Sequence, residues 1–326
     1  MATEDITLQD IFLAQQAIGP LTRETPLVRS APLSEQTGAD IYLKLETAQE
    51  TGAFKVRGAA NKMLSLSAAA RERGVVTVST GNHGRAVAYV ARRLGSNAVV
   101  CISERVPPNK VAAIRRLGAE VVIQGQSQDD AEERARRLRQ ERGLTLIHPF
   151  DDPYIIAGQG TIGVEILQAL PAVDTAVVPL SGGGLIGGIA LALKSAAPTI
   201  RVVGVSMERA PVMYHSLQAG HPLQMEEEET LADSLLGGIG LDNAYTFHLA
   251  QTYLDDVVLV GEAEIARAMA FALHEHHVVA EGAGAVGIAA LLSGKIDVAG
   301  RQVAVVVSGG NVDMQLLLRI AQQYEP

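Results

Sequence analysis

The chain has 326 residues, 48% hydrophobic and 19% charged, which excludes a disordered protein and leaves room for two well-buried domains. A formal net charge of −9 argues against a nucleic acid held through its phosphates, and a single cysteine, Cys101, excludes an internal disulfide framework. The acidic N-terminal stretch MATEDITLQDIFLAQQA has no apolar h-region and no run approaches about 18 apolar residues. Neither a signal peptide nor a membrane span is therefore expected, and the expected location is the cytoplasm.

In chain order, the first notable stretch is ETGAFKVRGA at 50–59, which sets Lys55 between Phe54 and Val56. A lysine there either snorkels, with its head in water, or loses water and is held partly neutral for covalent chemistry. Valine-rich runs follow: GVVTVST (74–80), AVVCIS (98–103), EVVIQG (120–125), TAVVPL (175–180), RVVGVS (201–206) and QVAVVVS (302–308). Stretches of helical periodicity such as GRAVAYVARRLG and DDAEERARRLRQERG separate them. Strands apolar on both faces, alternating with helices, predict an α/β protein with mostly parallel sheets covered on both sides. The series from 74 to His148-Pro149-Phe150 predicts a small domain at 73–151, and residues 1–72 with 152–326 a large one. Cys101, inside an apolar run, reads as a core residue.

Four glycine loops punctuate this pattern. STGNHG (79–84) joins a strand to a helix, and its Ser79, Thr80 and Asn82 serve either as helix caps or as ligand groups. LSGGGLIGG (180–188) opens a helix after TAVVPL and is physically suited to an anion. Its Gly182, Gly184 and Gly187, with Glu208 further on, also fit a dinucleotide fingerprint, so a nicotinamide dehydrogenase is a rival reading. GAGAVG (282–287) fits the same pattern and reads better as close backbone packing. VVVSGGN (305–311) places Ser308 at a strand end, where ligands of open α/β sheets collect. The acidic run 226–229 and the histidines His274, His276 and His277 read as solvated surface, with no metal site expected.

TGAFKVRGA, STGNHGRAVA, AGQGTIGVEI (157–166), PLSGGGLIGG and VVSGGNVD resemble, in order, the motifs of the threonine dehydratase and serine racemase family. That resemblance implies a fold type II pyridoxal-phosphate enzyme with the cofactor between its two domains. Pyridoxal 5′-phosphate would be bound through Lys55, with Phe54 near its ring, Asn82 at its phenolic oxygen and Ser308 at its ring nitrogen. Ser181, Gly182, Gly183, Gly184 and Leu185 would hold its phosphate. Ser79, Thr80, Gly81 and His83 would surround the carboxylate of a small amino-acid substrate. IYLKLE (41–46), SMERA (206–210) and TLADSLLGGIGLDN (230–243) are similar to the hydroxyectoine utilization dehydratases in particular.

The implied activity is elimination of water from a β-hydroxy α-amino acid by a homodimer. A serine rather than an acid at the ring nitrogen favours elimination over racemisation or transamination. Thr80 stands where serine racemase carries its second acid/base serine, and it points the same way. Ser206 and Val212 stand where many relatives place metal-binding carboxylates, so a family-type metal site is not expected.

Overall fold

The computed structural model describes residues 6–324 apart from 80, 105, 107 and 127. Two sheets organise the chain. The strands are β1 (Leu27–Arg29), β2 (Asp40–Leu45), β3 (Val75–Val78), β4 (Ala98–Ile102), β5 (Glu120–Ile123), β6 (Thr145–Leu146), β7 (Thr175–Pro179), β8 (Arg201–Met207), β9 (Asp256–Val260) and β10 (Gln302–Val307). The larger sheet has the order β1-β2-β10-β7-β8-β9 and the smaller β5-β4-β3-β6. Every pairing is parallel except β1 with β2. The α/β class is as the sequence predicts, and all six valine-rich runs become strands.

Each sheet reverses its strand order once beside a central strand. In the larger sheet β8 and β9 lie on one side of β7 while β10 returns on the other, pairing Val303 with Thr175 and Val305 with Val177. In the smaller sheet β4 and β5 lie on one side of β3 while β6 pairs on the other, Val75 with Thr145 and Val76 with Leu146. Such reversals open a crevice beyond the carboxyl ends of the flanking strands. The loops leaving β10, β7, β3 and β6 are VVSGGN, SGGG, STGNHG and HPF, so the glycine loops occupy both crevices.

Packing explains why these strands are so uniformly apolar. Val177, Val203, Val205, Val303 and Val305 are buried with Val286, Ile288 and Ala289 of the Gly282–Leu292 helix. Val56, Ala59, Ala60 and Met63 of the Lys55–Ser65 helix are buried with Val75, Val87 and Val100 of the smaller sheet's layer. Fully burying side chains of this size contributes roughly 1.5–3 kcal/mol each. The GAGAVG glycines do pack backbone against backbone: a Cβ at Gly282 or Gly284 would overlap Leu231 or Gly309.

Two surface readings need correction. His274 and His276 are not a solvated face: His276 Nε2 meets Ser30 Oγ at 2.8 Å and His274 Nε2 meets Ala321 O at 3.1 Å. These bonds tie the Glu262–His276 helix to its neighbours, while His277 stays exposed. Among the described residues no helix is long and apolar enough to cross a membrane, and no cluster of three or more metal-binding side chains occurs.

Candidate active site

Lys55 opens the Lys55–Ser65 helix, whose N-cap residue Phe54 offers no side-chain cap. The helix start is held instead by the loop after β10: Phe54 N–H donates to Ser308 O at 3.0 Å, and Ala53 bridges Gly309. The lysine does not snorkel into water. Its Nζ donates to Pro149 O at 2.7 Å and lies 5.1 Å from the Phe54 ring centroid. Lost hydration lowers its pKa to about 8, with the Glu281 charge opposing the shift. A lysine so placed has roughly a tenth of its amine free at pH 7, far more than an ordinary lysine, and a carbonyl-binding nucleophile needs that free form.

The segment 147–150, leaving β6, connects the parts. Ile147 O receives His83 Nε2 at 3.0 Å and Pro149 O receives Lys55. A Cβ at Gly182 would lie 2.5 Å from the Phe150 ring, and one at Gly184 2.8 Å from Phe150 O, so the SGGG loop must be glycine to lie against this segment. Gly183 has φ +85° and caps the Gly184–Ala196 helix with no side-chain bond. The first N–H groups of a helix lack intrahelical partners and carry partial positive charge. This buried, uncapped start is physically suited to an anion. Leu185 and Phe54 pack in the same apolar cluster beside it. The Ser181 hydroxyl donates to Leu235 O at 2.8 Å.

On the STGNHG side, Asn82 is not a helix cap. It is buried in the first turn of the Asn82–Leu94 helix, where its Nδ2 donates to Glu281 Oε1 at 2.6 Å. Asn311 Nδ2 donates to Asn82 Oδ1 at 2.7 Å. One Asn82 N–H remains for a ligand oxygen. Gly81 has open space where a side chain would stand, and its N–H donates to Ser79 Oγ at 3.3 Å. Burial and the Lys55 charge push the His83 pKa down to about 3, and its buried Nδ1 has no partner among the described residues. Ser308 directly follows β10, buried, with its carbonyl committed to Phe54. Thr80 lies outside the described residues.

Glu281 is the residue that reading the sequence missed. The only signal was an acid inside the otherwise apolar and glycine-rich run VVAEGAGAVG, the same oddity that singles out Lys55. Burial raises its pKa to about 7, and Asp233 adds to the rise. Glu208, the acid of the dinucleotide reading, lies instead at the surface in an ion pair with Lys295 at 3.4 Å.

Together these features link an uncapped glycine-rich helix start, an amine of lowered pKa and, next to His83, an amide donor through residues 147–150. Residues 18–309 match the pyridoxal-phosphate dependent enzyme family. The chain belongs to that family. It is therefore a pyridoxal-phosphate enzyme of the threonine dehydratase and serine racemase group, and the nicotinamide reading falls. The chain is 46% identical over 315 residues to an L-threonine ammonia-lyase of Thermotoga maritima, covering 97% of this chain and 78% of that one. It is 40% identical over 317 residues to a catabolic L-threonine dehydratase of Escherichia coli, covering 97% and 96%. Maize serine racemase superposes with a TM-score of 0.92 at 34% identity, covering 98% of this chain and 97% of that one. The fold is accordingly that of the fold type II pyridoxal-phosphate enzymes.

Proposed function

We propose that the enzyme is a dehydratase of the ammonia-lyase type, converting a β-hydroxy α-amino acid to a 2-oxo acid and ammonia. The observation that carries this reading is the Lys55 amine, with its pKa lowered to about 8, tied through residues 147–150 to the uncapped Gly183–Gly184 helix start. Pyridoxal phosphate, when bound, supplies a sink for the electron pair left at the substrate Cα. Lys55 is the cofactor lysine and the base that removes the Cα proton. Gly182, Gly183, Gly184 and Leu185 hold the phosphate through backbone N–H groups, and Ser181 contributes once its hydroxyl turns from Leu235. Phe54 packs beside the ring, Asn82 donates to its phenolic oxygen, and Ser308 meets its nitrogen without fixing a proton there. Ser79, Thr80, Gly81 and His83 form the carboxylate pocket at the start of the Asn82–Leu94 helix. The β-hydroxyl would leave as water, taking up a proton to balance the one removed from Cα, and hydrolysis of the resulting enamine would give the 2-oxo acid and ammonia.

The substrate we favour is hydroxylated diaminobutyrate from hydroxyectoine breakdown, on the strength of IYLKLE, SMERA and TLADSLLGGIGLDN. The chain is read as a cytoplasmic homodimer. Each protomer divides into a large body (1–72 with 152–326) and a small one (73–151), with the Lys55–Ser65 helix packed on the small sheet. Two experiments test this. Borohydride reduction and peptide mapping should find cofactor on Lys55; label on another lysine overturns the site. Ammonia release from threonine, serine and hydroxydiaminobutyrate should be fastest for the last, and D-serine formed from L-serine faster than ammonia would make the enzyme a racemase.

A further inference from the structure

Glu281 sits at the N-cap of the Gly282–Leu292 helix, yet its side chain makes no cap bond. An acid at that position ordinarily turns toward its own helix, where the free N–H groups and the dipole favour a carboxylate. Here the carboxylate turns away. Oε1 accepts from Asn82 Nδ2 at 2.6 Å, and Oε2 accepts from the backbone N–H of Asn311 at 3.1 Å. The carboxyl is only 4% exposed, and no lysine or arginine among the described residues forms an ion pair with it.

The groups bonded to it are themselves tightly held. Asn311 Nδ2 donates to Thr51 O at 2.8 Å as well as to Asn82 Oδ1 at 2.7 Å, and Arg85 Nη1 donates to Asn311 Oδ1. A carboxamide offers an oxygen on one side and N–H groups on the other, and only its partners decide which way it faces. For Asn82 those partners are Glu281, which takes an N–H, and Asn311, which supplies one. The charged groups acting on Glu281 are Asp233, Lys55 and Arg85, with Ser234 as a further hydrogen-bond partner. One acid and two bases surround a carboxyl that none of them pairs directly.

We propose that Glu281 is a positioning residue of this site: its carboxylate fixes which way the Asn82 carboxamide faces beside Lys55, and protonating it releases that orientation. The inference rests on the roles given above to Lys55 and Asn82. Once protonated, the carboxyl carries a hydrogen of its own and competes with the Asn82 N–H for the space between them. On Oε2 the hydrogen would instead face the Asn311 N–H, whose side chain holds the Asn82 oxygen, so on either oxygen one of the two contacts that orient Asn82 is disturbed. With Lys55 bonded to the cofactor in the free holoenzyme, its amine does not titrate there, so the low-pH side of the kcat/KM profile is set by Glu281 and falls as pH drops below about 7.

The test compares wild-type and Glu281→Gln holoenzymes. Difference infrared spectra should show a carboxylic-acid carbonyl band in the wild type that titrates near neutral pH and is missing from Glu281→Gln. The wild-type kcat/KM should fall about tenfold per pH unit below its acid limb, with the visible absorption of the bound cofactor changing in parallel. In Glu281→Gln that limb should vanish, leaving kcat/KM at least about tenfold below wild type on the alkaline side and nearly flat. Glu281→Asp, which restores the charge with shorter reach, should restore a limb. An unchanged limb in Glu281→Gln, or no titrating infrared band in the wild type, overturns the proposal. Cofactor mapped to a lysine other than Lys55 overturns instead the reading on which it rests, so the two failures are separable.

Discussion

Two sets of ionisable side chains meet the first turn of the Lys55–Ser65 helix, and they solve burial in opposite ways. Arg57 is 1% exposed and donates to Glu46 at 2.8 Å and to Glu165 at 2.5 Å. Lys44, equally buried, pairs with Glu165 at 2.6 Å, and Thr25 and Thr161 fill remaining positions around Arg57. Burial would push the Glu46 carboxyl up, but the Arg57 and Lys44 charges outweigh it and hold it below the ordinary carboxylate range. Two positions earlier, about 200° around the helix, among the described residues Lys55 has only a carbonyl to donate to, and Glu281 only amide donors and a hydroxyl. There the shifts bring both groups toward neutral pH, Lys55 to about 8 and Glu281 to about 7. Charges that are fully paired have fixed protonation states and act as scaffold, whereas charges left short of partners titrate where chemistry happens.

The contrast can be broken most directly at Lys55. Lys55→Ala should lower ammonia release on the order of 10³-fold or more while leaving circular dichroism unchanged. In cofactor-stripped protein it should also change how stability depends on pH. The folded-state pKa of Lys55 is depressed, so protonation favours the unfolded chain: the cost is complete at and below about 8 and disappears as pH rises to the unfolded value of 10.5. Wild type should therefore gain stability relative to Lys55→Ala between these limits, as read by urea unfolding. No gain would mean that the amine is solvated.

Arg57→Met should show the reverse pattern. It leaves Glu46 and Glu165 buried with one cation fewer and should cost about 3–5 kcal/mol of unfolding free energy. A cost below about 1 kcal/mol would mean the cluster is no better paired than a surface bridge. The smallest effect is expected at the glycine loop. A Cβ at Gly184 would lie 2.8 Å from Phe150 O, tighter than real contacts allow. Gly184→Ala should cost about 1–3 kcal/mol, or roughly 10–100-fold in cofactor affinity by fluorescence titration.

Much of this molecule was legible in the chain. Strands buried on both faces announce themselves as valine runs, and the glycine loops mark where backbone must approach something closely. β9 gives little signal because DVVLV follows a region of weak periodicity, and β6 none because two residues carry no pattern. Strand order was not legible, yet it is what brings the loops after β7 and β10 side by side. Glu281 escaped for the same reason. Its meaning comes from Asn82, 199 residues away, and from a burial that neighbouring letters do not encode. Ser206 and Val212, which stand in place of carboxylates, are buried: Ser206 Oγ lies 3.7 Å from the Met207 sulfur, and Val212 joins an apolar cluster.

The hydrogen bonds that assemble the crevice span long stretches of chain: 94 residues for Lys55 to Pro149, 199 for Asn82 to Glu281 and 229 for Asn82 to Asn311. Contacts of such separation close large loops and form late, after local helices and neighbouring strands have already condensed. A nascent chain thus has no competent crevice until β10 has joined the larger sheet beside β7, because Ser308 and Asn311 arrive with that strand. Capture of the cofactor is in this sense a readout of completed folding. A chain stalled short of its last strand would carry every motif but the final one and still fail to hold the ligand.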